Sequence, residues 1–451
     1  MDQSPQRTHG LIHLIPRAWE GVLVLTLFAL PLQTRWIWHE AVIKNEVWEY
    51  GRFSLYGVDL LILLALILWL ASRPFQPTIR RVSPLLWMSV TGLLLVSFLS
   101  IYFALDASLA INGFSRLLEG VALFFLITQL RLSWRIPVWT VVLSGAVQSL
   151  LAFFEFILQR VPESKWFGLA TQDPSFSGVS VVLTSAGRFL RAYGTFPHPN
   201  ILGGFLVYCI VLAIALLVTT EKKRVRMWIS AFLPGLSAGM LFSFSRQSVL
   251  GLLVSLMSFP SMMAYKAKAQ MRLWTWGTGI VFVTLAALGA IFSPLVLTRL
   301  NVAGPLEEYS LDARATGVQQ AKKLLVDVWP QGVGIGNYTL ALQKKLDSNI
   351  EAKDMQPVHI LGVLILAEVG IFGLAFYALF LILLFWEGRH HPEPARRSTH
   401  LAIAGALVII PVFLGLWDHY LWSLPVGQWI FWSMCGLAVL VTHPNEQTTH
   451  L

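Results

Sequence analysis

Between residues 188 and 218 the sequence reads Arg188-Phe-Leu-Arg191-Ala-Tyr-Gly194-Thr-Phe-Pro197-His198-Pro199-Asn200 and then continues as the apolar run 201–218. The first part is basic and rich in turn formers, whereas the second is about as long as a bilayer crossing requires. Arginine at such a boundary is costly unless an anion compensates it, and a guanidinium can bind phosphate through two parallel hydrogen bonds. The stretch therefore predicts a phosphate or diphosphate ligand at a membrane surface.

The composition of the whole chain is that of an integral membrane protein. Of its 451 residues, 56% are hydrophobic and 13% are charged, whereas soluble domains carry roughly 25% charged residues. The formal charge of +9 is dispersed through short loops, which argues against nucleic acid as a partner. The two cysteines, Cys209 and Cys435, lie in apolar runs and indicate neither a disulfide framework nor a thiolate metal site.

The apolar runs predict an all-α polytopic membrane protein with about twelve transmembrane helices. The first run lacks a cleavage pattern and is interpreted as a retained span rather than a signal peptide. Short loops dense in positive charge, such as the one holding Lys222, Lys223, Arg224 and Arg226, predict that this side is cytoplasmic together with both termini. The predicted spans are 18–33, 55–72, 84–104, 116–130, 137–158, 200–219, 228–244, 248–264, 273–296, 360–385, 400–417 and 424–442.

Two long loops lie on the opposite, extracytoplasmic side, at 159–199 and 297–359. In the first, β-forming residues flank Ser185-Ala-Gly187 and predict a hairpin. In the second, apolar residues recur with a helical period over 311–326, and Ser310 is the predicted N-cap of that helix. The sequence contains no internal repeat, so residues 1–451 are interpreted as a single integral membrane domain.

Two further residues at predicted outer boundaries carry chemistry. The run 228–265 is long enough for two spans, and a turn at Ser243-Phe-Ser245-Arg246 would place Arg246 near the level of Arg191. An arginine that only extends to the interface is the alternative. His359 ends the large outer loop, and imidazole is the side chain most easily used as a base near neutral pH. Taken alone, His359 is more typical of an interfacial histidine with an ordinary hydrogen bond.

Three other motifs have plainer interpretations. Glu368 lies within the span 360–385, where it is expected to pair with a cation or a polar group. Gly332-Val-Gly334-Ile-Gly336 lacks the setting of a dinucleotide-binding motif and predicts a tight turn. Asp418-His419-Tyr420 could be a carboxylate–histidine pair, but it is interpreted as a simple polar turn. No motif requires a metal ion.

Together, these motifs resemble the O-antigen ligase / O-antigen polymerase family. The resemblance covers residues 20–440 and rests on the order and spacing of motifs, none of which would suffice alone. The motifs are Arg191–Asn200, Ser245-Arg246, Pro330-Gln-Gly332-Val-Gly334, Pro357-Val-His359 and Glu368-Val-Gly-Ile-Phe-Gly373. One departure is Ile360, because the family often has asparagine directly after this histidine.

The resemblance implies a GT-C-like membrane glycosyltransferase in polysaccharide or lipopolysaccharide biosynthesis. Its donor would be a glycan on undecaprenyl diphosphate, used on the outer side of the bacterial inner membrane, and its acceptor a glycan, lipid or protein. By the family pattern, Arg191 and Arg246 would bind the donor diphosphate, and His359 would activate the acceptor hydroxyl. No metal and no cofactor is implied. Possible supporting residues are Arg188, His198, Asn200, Arg314 and Glu368.

Elementary chemistry agrees with this expectation. Displacement of a polyprenyl diphosphate builds negative charge on the leaving oxygens, which fixed arginines would stabilise without a metal, and direct displacement would invert the anomeric centre. The sequence does not separate ligation from polymerisation. Two other classes stay open: a transporter of an anionic or lipid-linked saccharide, and a structural partner in an envelope-assembly complex.

Overall fold

The computed structural model describes residues 17–74, 82–263, 267–301, 304–387 and 394–442, which form an all-α membrane protein. Within these ranges, eight helices are long and apolar enough to cross a bilayer, and three shorter apolar helices accompany them. Parts of the predicted cytoplasmic loops at 73–83, 265–272 and 386–399 lie outside the described residues.

The helices follow one another through the chain, and short strands lie in two of the segments between them. The helices are α1 (Ala18–Ala29), α2 (Gly57–Ser72), α3 (Pro84–Leu99), α4 (Ala107–Gln129), α5 (Arg135–Leu158), α6 (Pro199–Thr219), α7 (Lys223–Phe242), α8 (Arg246–Met262), α9 (Lys268–Ile291), α10 (Ser293–Leu300), α11 (Pro305–Val328), α12 (Tyr338–Ala341), α13 (Leu361–Glu387), α14 (Pro394–Gly415), α15 (Tyr420–Ser423) and α16 (Pro425–Thr442). The strands are β1 (Arg35–His39), β2 (Val42–Ile43), β3 (Glu46–Val47), β4 (Phe53–Tyr56), β5 (Val181–Thr184) and β6 (Gly187–Leu190).

Helix α6 is the centre of the bundle. Its apolar window is completely buried, as expected for a helix that is hydrophobic on every side. Helices α5, α7, α8, α9 and α14 pack around it. In its second turn, Gly204 has no side chain, and the hydroxyl of Tyr420 occupies the adjacent space. The start of α6 therefore lies directly against α15.

The strands form three small antiparallel pairs, β1 with β4, β2 with β3 and β5 with β6. The last pair confirms the hairpin predicted around Ser185-Ala-Gly187, because Thr184 pairs with Gly187 across the turn. The helix predicted over 311–326 is also present, but the N-cap prediction is wrong. Helix α11 begins at Pro305 and Gly304 is its N-cap, so Ser310 lies inside the helix; Pro305 suits a first helical position because it lacks an amide hydrogen.

Helix α13 is interrupted at Gly370, whose φ of 77° and ψ of −173° are not helical. The segment 330–334 crosses the chain at this break. Val333 N donates to Ala367 O at 2.9 Å, Gly334 N donates to Glu368 O at 2.9 Å, and Ile371 N donates to Pro330 O at 3.0 Å. A side chain on Gly370 would meet the Pro330 carbonyl oxygen. The crossing segment thus supplies hydrogen bonds that the interrupted helix lacks.

Candidate functional site

The loop that carries Arg191 is fixed by carboxyl and amide groups of α5. The backbone amides of Tyr193 and Gly194 both donate to Glu155 Oε2 at 2.8 Å, and Thr195 N donates to Gln148 Oε1 at 2.8 Å. Gly194 has a φ of 58°, a left-handed conformation that favours glycine. Because these contacts hold consecutive backbone groups, the loop presents Arg191 in one geometry.

Arg191 lies against the turn between α7 and α8, as the sequence predicts. Its buried guanidinium donates from Nε to Ser243 O at 2.8 Å and from Nη2 to Asn200 Oδ1 at 2.7 Å. Arg246 is the first residue of α8, follows the N-cap Ser245, and donates from Nη1 to Arg299 O at 3.2 Å. The two arginines therefore flank one short turn at the same end of the bundle.

Asp418 is the hub of the cluster. Its Oδ2 accepts hydrogen bonds from Asn200 Nδ2 at 3.2 Å and from Gln247 Nε2 at 3.1 Å, and its Oδ1 accepts from His419 N at 2.9 Å. Asn200 thus bridges Arg191 and Asp418. Residues 418–420 do form a turn, but the interpretation as a simple polar turn leaves out the role of the carboxylate. Asp418 joins the start of α6 to the start of α8 through its hydrogen bonds with Asn200 and Gln247.

Three histidines surround this carboxylate. His198 is the N-cap of α6; its Nδ1 accepts from Asn200 N at 3.1 Å, and its Nε2 lies 3.2 Å from Ser180 Oγ. The rings of His359 and His419 meet edge to face, with centroids 5.2 Å apart. His419 Nδ1 lies 2.6 Å from Ser423 Oγ. The structure thus brings His359 to His419.

Burial sets the protonation of these groups. It lowers the pKa of His198 to about 3 and that of His419 to about 4, and it also lowers the pKa of His359. Asp418 opposes the shift at His359, whereas Arg314 adds to it. For Asp418, burial alone would raise the pKa, but the three histidines and the hydrogen bond from Gln247 hold it below its ordinary value. At neutral pH the arrangement is a carboxylate beside neutral imidazoles, one of which can accept a proton.

Glu368 connects the break in α13 to the cluster. Its Oε2 accepts from Trp422 Nε1 at 2.8 Å, and its Oε1 accepts from Tyr338 N at 3.4 Å. The predicted tight turn at 332–336 is present, with positive φ at all three glycines. The polar partners expected for Glu368 are therefore the indole N–H of Trp422 and the backbone N–H of Tyr338. Through Trp422, the carboxyl also positions α15, which follows His419.

The remaining predicted residues lie at different distances from the cluster. Arg314, on α11, is close enough to His359 to influence its pKa. Arg188 is exposed and turns away: its Nε donates to Pro174 O at 2.5 Å and its Nη2 to Phe176 O at 3.1 Å. Those bonds hold the β5–β6 hairpin against its own loop. Arg188 is thus a hairpin residue in this structure, unlike Arg191 three positions later.

Sequence reasoning missed the central part played by Asp418, His419 and Gln247. One available signal was that Asp418 and His419 are adjacent polar residues between two apolar runs on the same predicted side as His359. Within the described residues, no group of three or more His, Cys, Asp or Glu side chains could hold a metal ion.

Comparison with models of known protein families gives no match, and comparison with the sequences of curated proteins gives none either. The functional proposal therefore rests on the fold and on the geometry of this cluster.

Proposed function

We propose that this protein is a GT-C-like glycosyltransferase that moves a glycan from undecaprenyl diphosphate to an acceptor hydroxyl, as an O-antigen ligase or a polysaccharide polymerase. The proposal includes twelve spans and a site on the outer side of a bacterial inner membrane. One observation carries it: Asp418 gathers His359, His419 and, through Asn200 and Gln247, the two arginine-bearing segments. These five residues come from four separate parts of the chain.

In the proposed reaction, Arg191 and Arg246 bind the diphosphate of the donor. The acceptor oxygen attacks the anomeric carbon as His359 takes its proton, and the bond between that carbon and the diphosphate oxygen breaks. Polyprenyl diphosphate leaves with the electron pair, and the anomeric centre inverts. The guanidiniums stabilise the charge that grows on the leaving oxygens. Asp418 acts through His359 and is a positioning residue.

The lowered pKa of His359 supports its assignment as the base. A neutral imidazole can accept a proton at neutral pH, whereas an imidazolium cannot. Positioned proton transfer is typically worth about 10²–10⁴ in rate. The nearby Arg314 favours the neutral form before the reaction. After proton transfer, the Asp418 carboxylate favours the imidazolium, so the same environment serves both states.

One observation favours a second candidate, a transporter of a lipid-linked or anionic saccharide. Interrupted membrane helices next to a polar site are common in transporters, and α13 is interrupted at Gly370 beside Glu368. Transporters of that kind have corresponding breaks in paired halves. No other described helix that could span a membrane contains a residue with a positive φ, so the enzyme remains the better proposal.

The deciding experiment measures release of polyprenyl diphosphate from a polyprenyl-diphosphate saccharide by the purified protein, with a chelator present. His359→Gln should reduce release by about 100-fold or more, the lower range for a lost general base. His39→Gln is the matched control, because His39 is an exposed histidine on β1. Product length would then separate one-step ligation from a polymer ladder.

Two outcomes would contradict the proposal. Equal release of polyprenyl diphosphate by the wild type and by His359→Gln would show that His359 is not the catalytic base. Binding of the lipid-linked saccharide without release, across a panel of acceptors, would favour the transporter. If His359→Gln retained function in cells but the protein neither transferred nor transported, a structural role in an envelope-assembly complex would become the better explanation.

A further inference from the structure

A cavity of about 110 Å³ lies next to the histidine pair and is not used by the donor-binding residues. It is enclosed by the 35–56 hairpin region, the first half of α4, the turn at 335–339 and the segment 422–428. Glu368, Trp422 and Gln428 form its buried inner part, whereas the side chain of Glu49 is 47% exposed at its rim. The cavity therefore opens toward the surface on which the site lies.

Three residues that line this cavity each have a buried polar atom without a hydrogen-bond partner in the described part of the chain: Ser54 Oγ, Thr339 Oγ1 and Gln428 Oε1. Their residues are 7%, 2% and 6% exposed. Buried polar atoms almost always have a partner, so each exception calls for an explanation. Gln428 is held in place, because its Nε2 donates to Trp422 O at 2.6 Å and leaves only the oxygen unused. Three such atoms around one cavity indicate a polar occupant.

The charges around the cavity argue against an anionic occupant. Its three arginines are already engaged with carboxylates: Arg35 Nη1 lies 2.6 Å from Glu49, Arg52 Nε 2.8 Å from Glu40, and Arg116 Nη1 2.6 Å from Asp59. The further lining carboxyl, Glu368, offers an anion no positive charge. A phosphate would have to compete with these pairs, whereas hydroxyl groups can both donate and accept.

The remaining lining groups suit a sugar ring. The cavity presents carboxyl, guanidinium, amide and hydroxyl groups together with the rings of Tyr50, Tyr56 and Trp422. Aromatic rings with one polar atom supply both an apolar face and a hydrogen-bonding tip. Its volume is below the range of about 300–1,000 Å³ typical of sites for drug-sized ligands. The cavity thus fits a single ring rather than a long oligosaccharide.

The residues that connect the cavity to His359 and His419 differ from those that hold Arg191. Ser423 lines it and lies 2.6 Å from His419 Nδ1, and the ring of Tyr50 lies 6.2 Å from that of His419. Pro357, two residues before His359, also lines it. Arg191 is linked to Asp418 through Asn200 instead. The cavity and the arginines therefore flank the histidines separately.

We propose that this cavity binds a neutral, hydroxyl-rich sugar ring of the acceptor, with Ser54, Thr339 and Gln428 as its hydrogen-bonding residues. The inference rests on the proposed function, because it supplies the substrate class for the acceptor side of that reaction. A ring bound there would extend a hydroxyl toward His359 while the donor diphosphate lies against Arg191 and Arg246.

The test is saturation-transfer NMR with the full-length protein in nanodiscs and three probes: methyl glucoside, methyl N-acetylglucosaminide and methyl glucuronide. The neutral glycosides should bind, and the glucuronide should bind more weakly. Ser54→Ala and Thr339→Val should each weaken binding by about fivefold, as expected for loss of one hydrogen bond. Both variants should fold, because neither hydroxyl has a hydrogen-bond partner among the described residues.

Ser97→Ala is the matched control, since Ser97 Oγ is also buried and unpartnered but does not line the cavity. Binding unchanged in Ser54→Ala and Thr339→Val would overturn the inference, as would absent binding of neutral glycosides or a preference for the glucuronide. The release assay separates the two proposals. If Thr339→Val released polyprenyl diphosphate normally and with an unchanged acceptor KM, the transferase proposal would be supported and the cavity would not be the acceptor site. Glycoside binding without release by any preparation would leave a sugar site in a protein that is not a transferase.

Discussion

Asp418→Asn tests whether the hub carboxylate tunes His359. Asparagine has nearly the same shape but offers one oxygen and one NH2 group, whereas Asp418 accepts hydrogen bonds at both oxygens. If the asparagine oxygen points toward Asn200 and Gln247, its NH2 group faces the backbone N–H of His419. If the amide is flipped, its NH2 group faces the side-chain donors of Asn200 and Gln247. At least one buried donor loses its partner in either case, which costs about 1–3 kcal/mol of stability.

The effect on catalysis follows from the pKa of His359. Burial lowers that pKa from its ordinary 6.5, and Asp418 partly opposes the shift. Because the base must be neutral, wild-type activity should fall as the pH drops, with a midpoint below 6.5. Removing the carboxylate should lower the pKa of His359 further and move this acid limb to lower pH. It also leaves the imidazolium without its counter-charge, so the maximal rate should fall by about tenfold or more.

The assay is the pH dependence of kcat/KM for polyprenyl diphosphate release, with thermal unfolding of the same preparations measured in parallel. A purely structural role would lower stability and rate without moving the acid limb. An acid limb that stays in place, or that moves to higher pH, would refute the coupling between Asp418 and His359. Asp173→Asn is the control, because Asp173 is a carboxylate on the loop 159–199 and is hydrogen-bonded to Ser175 rather than to the hub.

Three further predictions concern the supports of the site. Gly370→Ala should destabilise the protein by more than about 1 kcal/mol in a thermal-unfolding assay, since its φ of 77° and the crossing segment leave no room for a methyl group. The control is Gly279→Ala, on an open helix face, which should be neutral or slightly stabilising in that assay. Glu368→Gln should cost about 1–3 kcal/mol of stability, because an amide sets a donor against a donor at one of its two oxygens. Arg191→Lys should raise the donor KM several-fold, because an ammonium cannot reproduce the planar fork, whereas Arg188→Lys should have a smaller effect; equal effects would contradict the distinction between the two arginines.

The sequence was sufficient for an all-α membrane fold and for placing the two arginines on either side of one turn. Against twelve predicted spans, the described residues contain eight helices long enough to cross a membrane and three shorter apolar helices. Apolar runs define where the chain can cross a bilayer, so the prediction of 55–72 differs from α2, Gly57–Ser72, by two residues at one end. The approach of Arg246 to Arg191 follows from one inference, that 228–265 must turn back at its middle. Helix starts are less predictable: Ser310 has the composition of a cap, yet Gly304 and Pro305 precede it by a full turn or more.

The hub could not be predicted because its contacts are distant in sequence. Asp418 is hydrogen-bonded to residues 171 and 218 positions away, and no local pattern contains that pairing. The break at Gly370 has the same character. A run of apolar residues with three glycines predicts a continuous helix, because the backbone groups that compensate for its interruption belong to the distant segment 330–334.

The cluster lies at the N-terminal ends of three helices, an arrangement that suits the binding of an anion. His198 and Asn200 lie at the start of α6, Gln247 at the start of α8, and His359 two residues before α13. Three long helices therefore begin at this site, and each contributes the partial positive charge of its N-terminus. Together with Arg191 and Arg246, these ends form a positive field that favours an anion. A positive field of that kind stabilises the Asp418 carboxylate and disfavours an imidazolium, the same direction as the lowered pKa of Asp418 and of His419. Donor binding would add negative charge to the same place, so we expect the pKa of His359 to rise when the donor is bound and the base to strengthen as the reaction begins.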